Sequence, residues 1–103
     1  MKPHDCCLTL SFPNALEDSI LGHLLDHPEW VEGFCTIHIE GHGRMSQAHE
    51  IAELVRGRSA RLYAQIVLNR EDAQALVSRL RTALPSAEVA YWLTPVMEFG
   101  RFA

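Results

Sequence analysis

Apolar and polar residues alternate along several stretches of the chain, and this alternation predicts β-strands. In residues 5–12, DCCLTLSF, one face carries Cys6, Leu8, Leu10 and Phe12. Residues 33–40, GFCTIHIE, alternate in the same way, with Cys35, Ile37 and Ile39 on one face. Residues 58–68 form the longest such stretch, and residues 88–94, EVAYWLT, form the last. The pattern therefore predicts four strands.

Segments between these strands carry apolar residues at helical spacing instead. The first lies in PNALEDSILGHLLDHP, and it stops because Pro28 disfavours helix at the residue before it. The second begins after Asn69, whose side chain can cap the helix, and it ends before Pro85. A short amphipathic helical turn is also predicted after Ser46, within the connection formed by residues 41–57.

The predicted order of elements is therefore β-α-β-β-α-β over a single domain, residues 1–103. Two right-handed β-α-β crossovers on one sheet give an α+β, ferredoxin-like sandwich with strand order 4-1-3-2. In this arrangement both helices cover one side of the antiparallel sheet and leave the other side open.

The two sides of the predicted sheet differ in character. On the helix side, Cys6 and Cys35 are expected to be small core residues, and Tyr91 and Leu93 face the same way. Because strand three would separate the two cysteines, they would stand about 9–10 Å apart, too far for a disulfide. The open side would carry polar and aromatic residues together: Thr9, Phe34, Tyr63, Gln65, Val67 and Trp92. Aromatic residues are enriched where subunits meet, so an oligomer is expected.

Composition and charge exclude several classes of protein. Hydrophobic residues make up 48% of the 103, enough for a small core, and the formal net charge is −4. A nucleic-acid-binding surface normally shows clustered basic residues, so no nucleic-acid partner is expected. No apolar h-region follows the first residues, and no apolar run approaches the roughly 20 residues of a membrane span. The expected location is the cytoplasm, without membrane insertion.

Candidate chemistry is concentrated around the second strand. On an extended strand His38, Glu40 and His42 share one face, about 6.6 Å apart in steps of two residues. His49 and Glu53 stand one helical turn apart and would add ligands if the connection folds back over the strand. Imidazole and carboxylate groups suit transition metals, so one interpretation is a metal site. The other is a polar sheet face, or a face that packs against another subunit.

Other sites find little support in the chain. Metal chaperones of this topology carry C-x-x-C in the loop entering the first helix, where this chain has SFPNAL. The helical pair His23 and His27 lacks the glutamate that follows the first histidine of a catalytic zinc motif, and a solvated helix face explains the pair. No nucleophile elbow, Walker lysine or paired-carboxylate motif is present. The sequence therefore favours a binding or regulatory protein over an enzyme.

The chain as a whole resembles a small bacterial PII-like family of unknown function. The resemblance rests on three blocks in the same order and spacing, GFCTIHIEGHG, SQAHEIAELVRGR and YWLTPVMEFGR. It implies a trimer of ferredoxin-like subunits whose sheets face inward, with ligands in the cleft between subunits. It also implies that residues 41–57 form a mobile loop that docks partners. Members of the family are often encoded beside heavy-metal efflux systems, so such a membrane protein is a possible partner.

The resemblance also bears on individual residues. Arg56, Gly57 and Arg58 would hinge the loop, and His42, His49, Glu50 and Glu53 would be its ligand-sensitive part. Arg56, Arg58 and Arg101 would bind an anion, although ordinary surface charge is the simpler explanation for them. Classical PII proteins hold nucleotide phosphates with a glycine-rich loop after the second helix. This chain has LPSAEV there, without glycine or lysine, which argues against classical ATP binding.

Overall fold

The computed structural model describes residues 2–42 and 58–103, and the side chains of the second range from residue 60 onward. Within these ranges, four strands and two helices follow one another in the predicted order. Their bounds are β1 (Cys6–Pro13), a single 3-10 turn (Asn14–Leu16), α1 (Glu17–Leu25), β2 (Cys35–His42), β3 (Arg58–Leu68), α2 (Arg70–Ala83) and β4 (Ala90–Pro95). The predicted helical turn after Ser46 lies outside the described residues.

The four strands form one antiparallel sheet in the order β2-β3-β1-β4, which confirms the predicted order 4-1-3-2. Residues of neighbouring strands lie directly opposite each other in the sheet. Leu8 of β1, for example, lies opposite Ile66 of β3 on one side and Leu93 of β4 on the other. Side chains in register point to the same side of a sheet. The alternating pattern therefore gives two continuous faces that run across all four strands.

One face forms the hydrophobic core with the two helices. The core strands contribute Cys6, Leu8, Leu10, Phe12, Leu62, Ala64, Ile66 and Leu68, all buried. The helices add Ile20 and Leu24 from α1 and Ala73, Leu76, Val77 and Leu80 from α2. Their spacing of three and four residues puts them on one side of each helix, which explains why these segments fold as helices over this face.

The start of α2 is fixed by a group of three polar side chains. The Asn69 side-chain oxygen accepts a hydrogen bond from the Asp72 backbone N–H at 2.9 Å, as an N-cap should. Asn69 Nδ2 donates to Asp72 Oδ2 at 2.9 Å, and Lys2 Nζ donates to Asp72 Oδ1 at 2.8 Å. The bond from Lys2, together with that from Asn69, lowers the pKa of Asp72 below its usual value. The carboxylate thus stabilises the fold at neutral pH, and this contribution is lost as acid protonates it.

We expect Asn69→Ala to lower the free energy of unfolding by about 1 kcal/mol, because it removes the N-cap and one partner of buried Asp72. Urea denaturation followed by circular dichroism measures the loss. Asn14→Ala is the matched control, since Asn14 is exposed and starts only the short 3-10 turn. An equal effect of the two substitutions would contradict the assignment of Asn69 as the cap.

Several element ends differ from the sequence prediction, and two of these differences involve candidate residues. Helix α1 ends at Leu25, two residues before the predicted stop, and His27 already lies in the following turn. Strand β2 continues to His42, because Gly41 and His42 still pair with Ser59 and Arg58 of β3. The connection predicted at residues 41–57 therefore starts after His42, and Arg58 belongs to a strand.

The orientation of β2 was predicted wrongly. Cys35 faces Gln65 in the sheet register, and Gln65 lies on the open side, so Cys35 is exposed rather than a core residue. Phe34, predicted on the open side, packs against the core. Alternation separates the two faces of a strand but does not say which one meets the helices. In β2 the open side takes Ile37 and Ile39, while the helix side carries the polar residues Thr36, His38 and Glu40.

Within residues 2–42 and 58–103, no helix is long and apolar enough to cross a membrane.

Candidate functional site

The predicted ligands of the second strand lie along the helix side of the edge strand β2. His38 and Glu40 are in register with Leu62 and Ala60, and His42 with Arg58. All three side chains are exposed, because they stand beyond the part of the sheet that the helices cover. His42 Nε2 lies 3.9 Å from Glu40 Oε2, close enough for two ligands to share an ion. The shared face predicted for these residues is therefore present.

The remaining predicted ligands cannot be placed. His49, Glu50, Glu53, Arg56 and Gly57 lie outside the described residues. In the described ranges, no three side chains of His, Cys, Asp or Glu come together around one point. The described part of the metal prediction thus amounts to one histidine–carboxylate pair at the end of an edge strand.

The open side of the sheet carries a band of apolar and aromatic residues. Ile37 of β2 lies beside Tyr63 of β3, and the Tyr63 ring meets Trp92 of β4 edge-on, with ring centroids 5.4 Å apart. Ile37 is 43% exposed and Trp92 is 39% exposed, and Cys35 is exposed beside them. We call Cys35, Ile37, Tyr63 and Trp92 the open-face band. Exposed side chains of this size in a row are typical of a protein–protein interface.

A buried arginine lies on the same side, next to the band. The Arg61 side chain crosses β1, where its guanidinium donates to Ser11 Oγ at 3.3 Å, and reaches the Glu88 carbonyl oxygen at 2.8 Å. Arg61, Ser11 and Thr9 are all buried, at 7%, 8% and 2% exposure. The guanidinium therefore ties the start of β3 to the segment that leads into β4. The sequence analysis missed this residue.

The thiols differ in their environment. Cys6 is buried, and burial raises the pKa of its thiol, with the nearby carboxylate of Asp5 adding to the rise. A raised pKa keeps the thiol protonated at neutral pH, and a protonated thiol is a poor metal ligand and nucleophile. Cys7 is half-buried on the open side, while Cys35 is exposed there.

A second polar cluster lies where the chain ends meet the loop before β2. Strands β1 and β2 run in the same direction, and β3 and β4 run against them, so residues before β1, before β2 and after β4 share one end of the sheet. The His4 and Phe99 rings stack there with centroids 4.3 Å apart. His4 Nε2 and Arg101 Nη2 both approach Glu32 Oε2, at 3.3 and 3.6 Å. We call these four residues the terminal cluster.

The terminal cluster determines how the C-terminal segment packs. Val96 N–H donates to the Asp5 carbonyl oxygen at 3.0 Å, and the Arg101 guanidinium lies 5.5 Å from the centre of the Phe99 ring. Met97 and Phe102, however, are fully exposed. The segment is thus partly packed, as its apolar content predicts, and partly open to solvent.

The position of Arg101 constrains the predicted anion site. Arg101 lines a groove of about 340 Å³ together with Leu68 and Asn69, at the end of β3. Arg58 begins the same strand, ten residues before Leu68. In an extended strand these two residues lie about 33 Å apart. Within one subunit the two arginines cannot hold one anion, so a shared site requires a second copy of the chain.

The terminal cluster was not predicted, because its members are far apart in the chain and form no motif. The predicted strand order contained a usable signal, since it places both chain ends and the loop before β2 at one edge. Charged and aromatic residues in MKPHD, WVEG and EFGR could have been combined on that basis.

The sheet order and the two helices on one side are those of the ferredoxin-like fold, which PII-like proteins share. The chain superposes on a putative PII-like signaling protein from Thermus thermophilus with a TM-score of 0.63 and 15% identity, covering 89% of this chain and 86% of that one. It superposes on CPII, a nitrogen regulatory PII-like protein from Thiomonas intermedia K12 bound to ADP, AMP and bicarbonate, with a TM-score of 0.68 and 16% identity. The coverage is 94% of this chain and 93% of that one.

Residues 2–103 match the DUF3240 family of proteins of unknown function, and the chain belongs to this family. A DUF3240 family protein from Shewanella baltica OS155 superposes with a TM-score of 0.77 and 22% identity. That similarity covers 98% of this chain and 99% of the other. Among curated proteins, none matches the chain in sequence. The resemblance to a PII-like family of unknown function is confirmed.

Proposed function

We propose that this chain is a PII-like regulatory protein that binds a transition-metal ion or a small ligand at a cleft between the subunits of a homotrimer. Ligand binding would change the connection between β2 and β3, which would dock a partner protein in the cytoplasm. A heavy-metal efflux system is the partner to test first. The proposal assigns binding rather than catalysis to the chain.

The observation that carries the proposal is the line of His38, Glu40 and His42 at the end of the edge strand. These three side chains are exposed on one face, and two of them lie 3.9 Å apart at the last residues before the connection. An ion held there would reach directly into that connection. His49 and Glu53 would complete the ligand set, since a histidine–carboxylate pair alone leaves a transition metal short of ligands.

The open-face band supports the assembly. Its residues would be an unusual surface for a monomer, because rows of large apolar side chains are rare on the surface of single chains. Packing three such faces together would bury the band and leave the edge strands near the seams between subunits. Arg58 begins β3, and Arg101 lies near the opposite end of that strand, so the two would then reach one cleft from different copies.

A metal titration tests the ligand. We expect zinc, copper, cobalt or nickel to raise the melting temperature of the purified protein, because an ion that binds only the folded state stabilises it by mass action. For an ion at a hundred times its dissociation constant, the gain is about 2.7 kcal/mol. Differential scanning fluorimetry on the oligomeric fraction measures the shift.

Two variants sharpen this measurement. His42→Ala combined with His49→Ala should abolish the shift, whereas His23→Ala, a histidine on α1 distant in sequence from the connection, should leave it intact. No shift with any ion would sink the metal version. Parallel additions of ATP, ADP and AMP test a nucleotide ligand, for which the α2–β4 connection LPSAEV predicts weak effects or none.

Similar experiments distinguish the proposed function from two alternatives. A ligand-free interaction module would show no shift but would still capture a partner through the connection, so a pull-down with residues 43–57 deleted distinguishes it. An enzyme on this fold would show turnover, and no constellation of residues in the described ranges favours one.

A further inference from the structure

Helix α2 does not cover the outer part of the sheet, and a groove of about 620 Å³ opens beside it. Val77 and Leu80 of α2 form one wall, together with Leu84 and Pro85, which follow the helix. Leu10 of β1 and Ile20 of α1 form the floor, at 2% and 1% exposure. The groove therefore reaches core side chains that are otherwise closed to solvent, and its volume is in the range of small-molecule sites.

The opposite wall comes from the chain entering and forming β4. Val89 and Tyr91 line it, and Tyr91 is 44% exposed although it lies on the helix side of the sheet. A half-exposed tyrosine on an apolar wall offers a ring surface to a ligand and a hydroxyl to water. The lining is thus apolar apart from Arg81 and Ser86, two exposed residues that we place at the mouth of the groove.

The mouth holds one charged side chain. Among the described lining residues of this groove, Arg81 alone carries a charge. A second groove of about 430 Å³ shares Val77, Arg81 and Tyr91 with the first and is lined by polar groups of Gln74, Ser78 and Thr82. Arg81 therefore stands at the junction of an apolar groove and a polar one.

A hydroxyl completes the mouth. Ser86 Oγ accepts a hydrogen bond from the Glu88 backbone N–H at 3.1 Å, which leaves its hydroxyl hydrogen as a donor. A ligand that matches this arrangement has an apolar chain or ring and one anionic head. Arginine pairs with carboxylates in planar, two-bonded geometry, so a carboxylate head fits best.

We propose that the groove between α2 and β4 binds a small amphipathic carboxylate, with its apolar part against Val77, Leu80 and Tyr91 and its head at Arg81. The site lies on the helix side of the sheet and uses none of the residues assigned to the metal proposal. Either proposal can therefore fail without the other.

Isothermal titration of the full-length protein with sodium octanoate tests the site. We expect saturable binding, at least about tenfold weaker for butyrate, which keeps the head but loses four methylene groups. Octan-1-ol, which keeps the chain but loses the charge, should also bind more weakly. Absence of saturable binding, or equal binding of octanoate and octan-1-ol, would overturn the proposal.

Two arginines on the same helix give a matched pair of variants. Arg81→Gln should weaken octanoate binding about three- to fivefold, as expected for losing one exposed ion pair. Arg79→Gln removes the same charge from α2, but Arg79 lines neither groove, so its binding should equal that of the wild type. Equal weakening by both substitutions would show a general charge effect and overturn the site.

A third variant tests the apolar wall and a competing occupant. Tyr91→Ala should weaken octanoate binding without unfolding the protein, because the side chain is half-exposed. The exposed Met97 and Phe102 of a second copy could also enter the groove. Octanoate binding that appears only after residues 97–103 are removed would assign the groove to that segment and overturn the proposal for a small ligand.

Discussion

Ile37→Glu is expected to convert the proposed trimer of 11.6-kDa chains into monomers. Ile37 lies in the middle of the open-face band, beside Tyr63, and it is 43% exposed in the single chain. A carboxylate there remains hydrated in a monomer, so the subunit itself should lose only about 1 kcal/mol from the poorer strand residue. In the trimer the same carboxylate would be desolvated, which costs several kcal/mol per ion. A trimer would bury three such carboxylates, and their combined desolvation free energy should prevent assembly.

Leu25→Glu is the control for this experiment. Leu25 is also a large exposed apolar residue, at 70% exposure, but it lies at the end of α1 on the helix side. Its substitution should leave the mass unchanged while costing the helix at most about 1 kcal/mol for a negative charge near its C-terminus. Size-exclusion chromatography with multi-angle light scattering gives the masses. A monomeric wild type, or a trimeric Ile37→Glu variant, would refute the open-face interface.

The strand order could be predicted from the sequence because each element carries a strong local signal. Cys6, Leu8, Leu10 and Phe12 alternate cleanly, and Asn69 caps α2 as expected. The two crossovers then leave few ways to arrange four strands. The resemblance to a PII-like family led to the same fold, and the structural comparisons confirm it.

The orientation of β2 could not be predicted because this edge strand turns its isoleucines away from the helices. A strand normally turns its apolar face inward, and this rule predicts that Ile37 and Ile39 lie on the helix side. In the structure the helix side of this edge strand extends past the helices, so His38 and Glu40 stand there in water. The prediction was therefore wrong about which side of the sheet each β2 residue faces, although the strand itself is present.

The candidate sites were less predictable than the fold because they depend on contacts between distant residues. Arg61 is buried by its bonds to Ser11 and the Glu88 carbonyl, partners 50 and 27 residues away in the chain. No local pattern distinguishes such an arginine from a solvated one. The groove beside α2 depends on how far the helix sits from β4, which spacing in a sequence does not give.

Phe12→Ala is expected to have the largest effect on stability among the substitutions considered. The Phe12 side chain is fully buried, in register with Leu62 of β3, under the helices. Truncating a buried phenylalanine costs about 3–5 kcal/mol, from lost transfer free energy and the cavity left behind. Domains of this size have only about 5–15 kcal/mol of total stability, so the loss removes a large part of it.

Assembly would obscure this measurement, because the stability of an oligomer depends on its concentration. Urea unfolding is therefore best compared in the monomeric Ile37→Glu background, or at one fixed concentration of the trimer if that background does not fold. Phe102→Ala is the control, since it removes the same side chain from a fully exposed position and should change stability by less than about 0.5 kcal/mol. If both substitutions lowered the free energy of unfolding by similar amounts, the Phe12 face of β1 would not be part of the core. A loss confined to Phe12 would place the core on the helix side, and the open-face band would then be left for contacts with other chains.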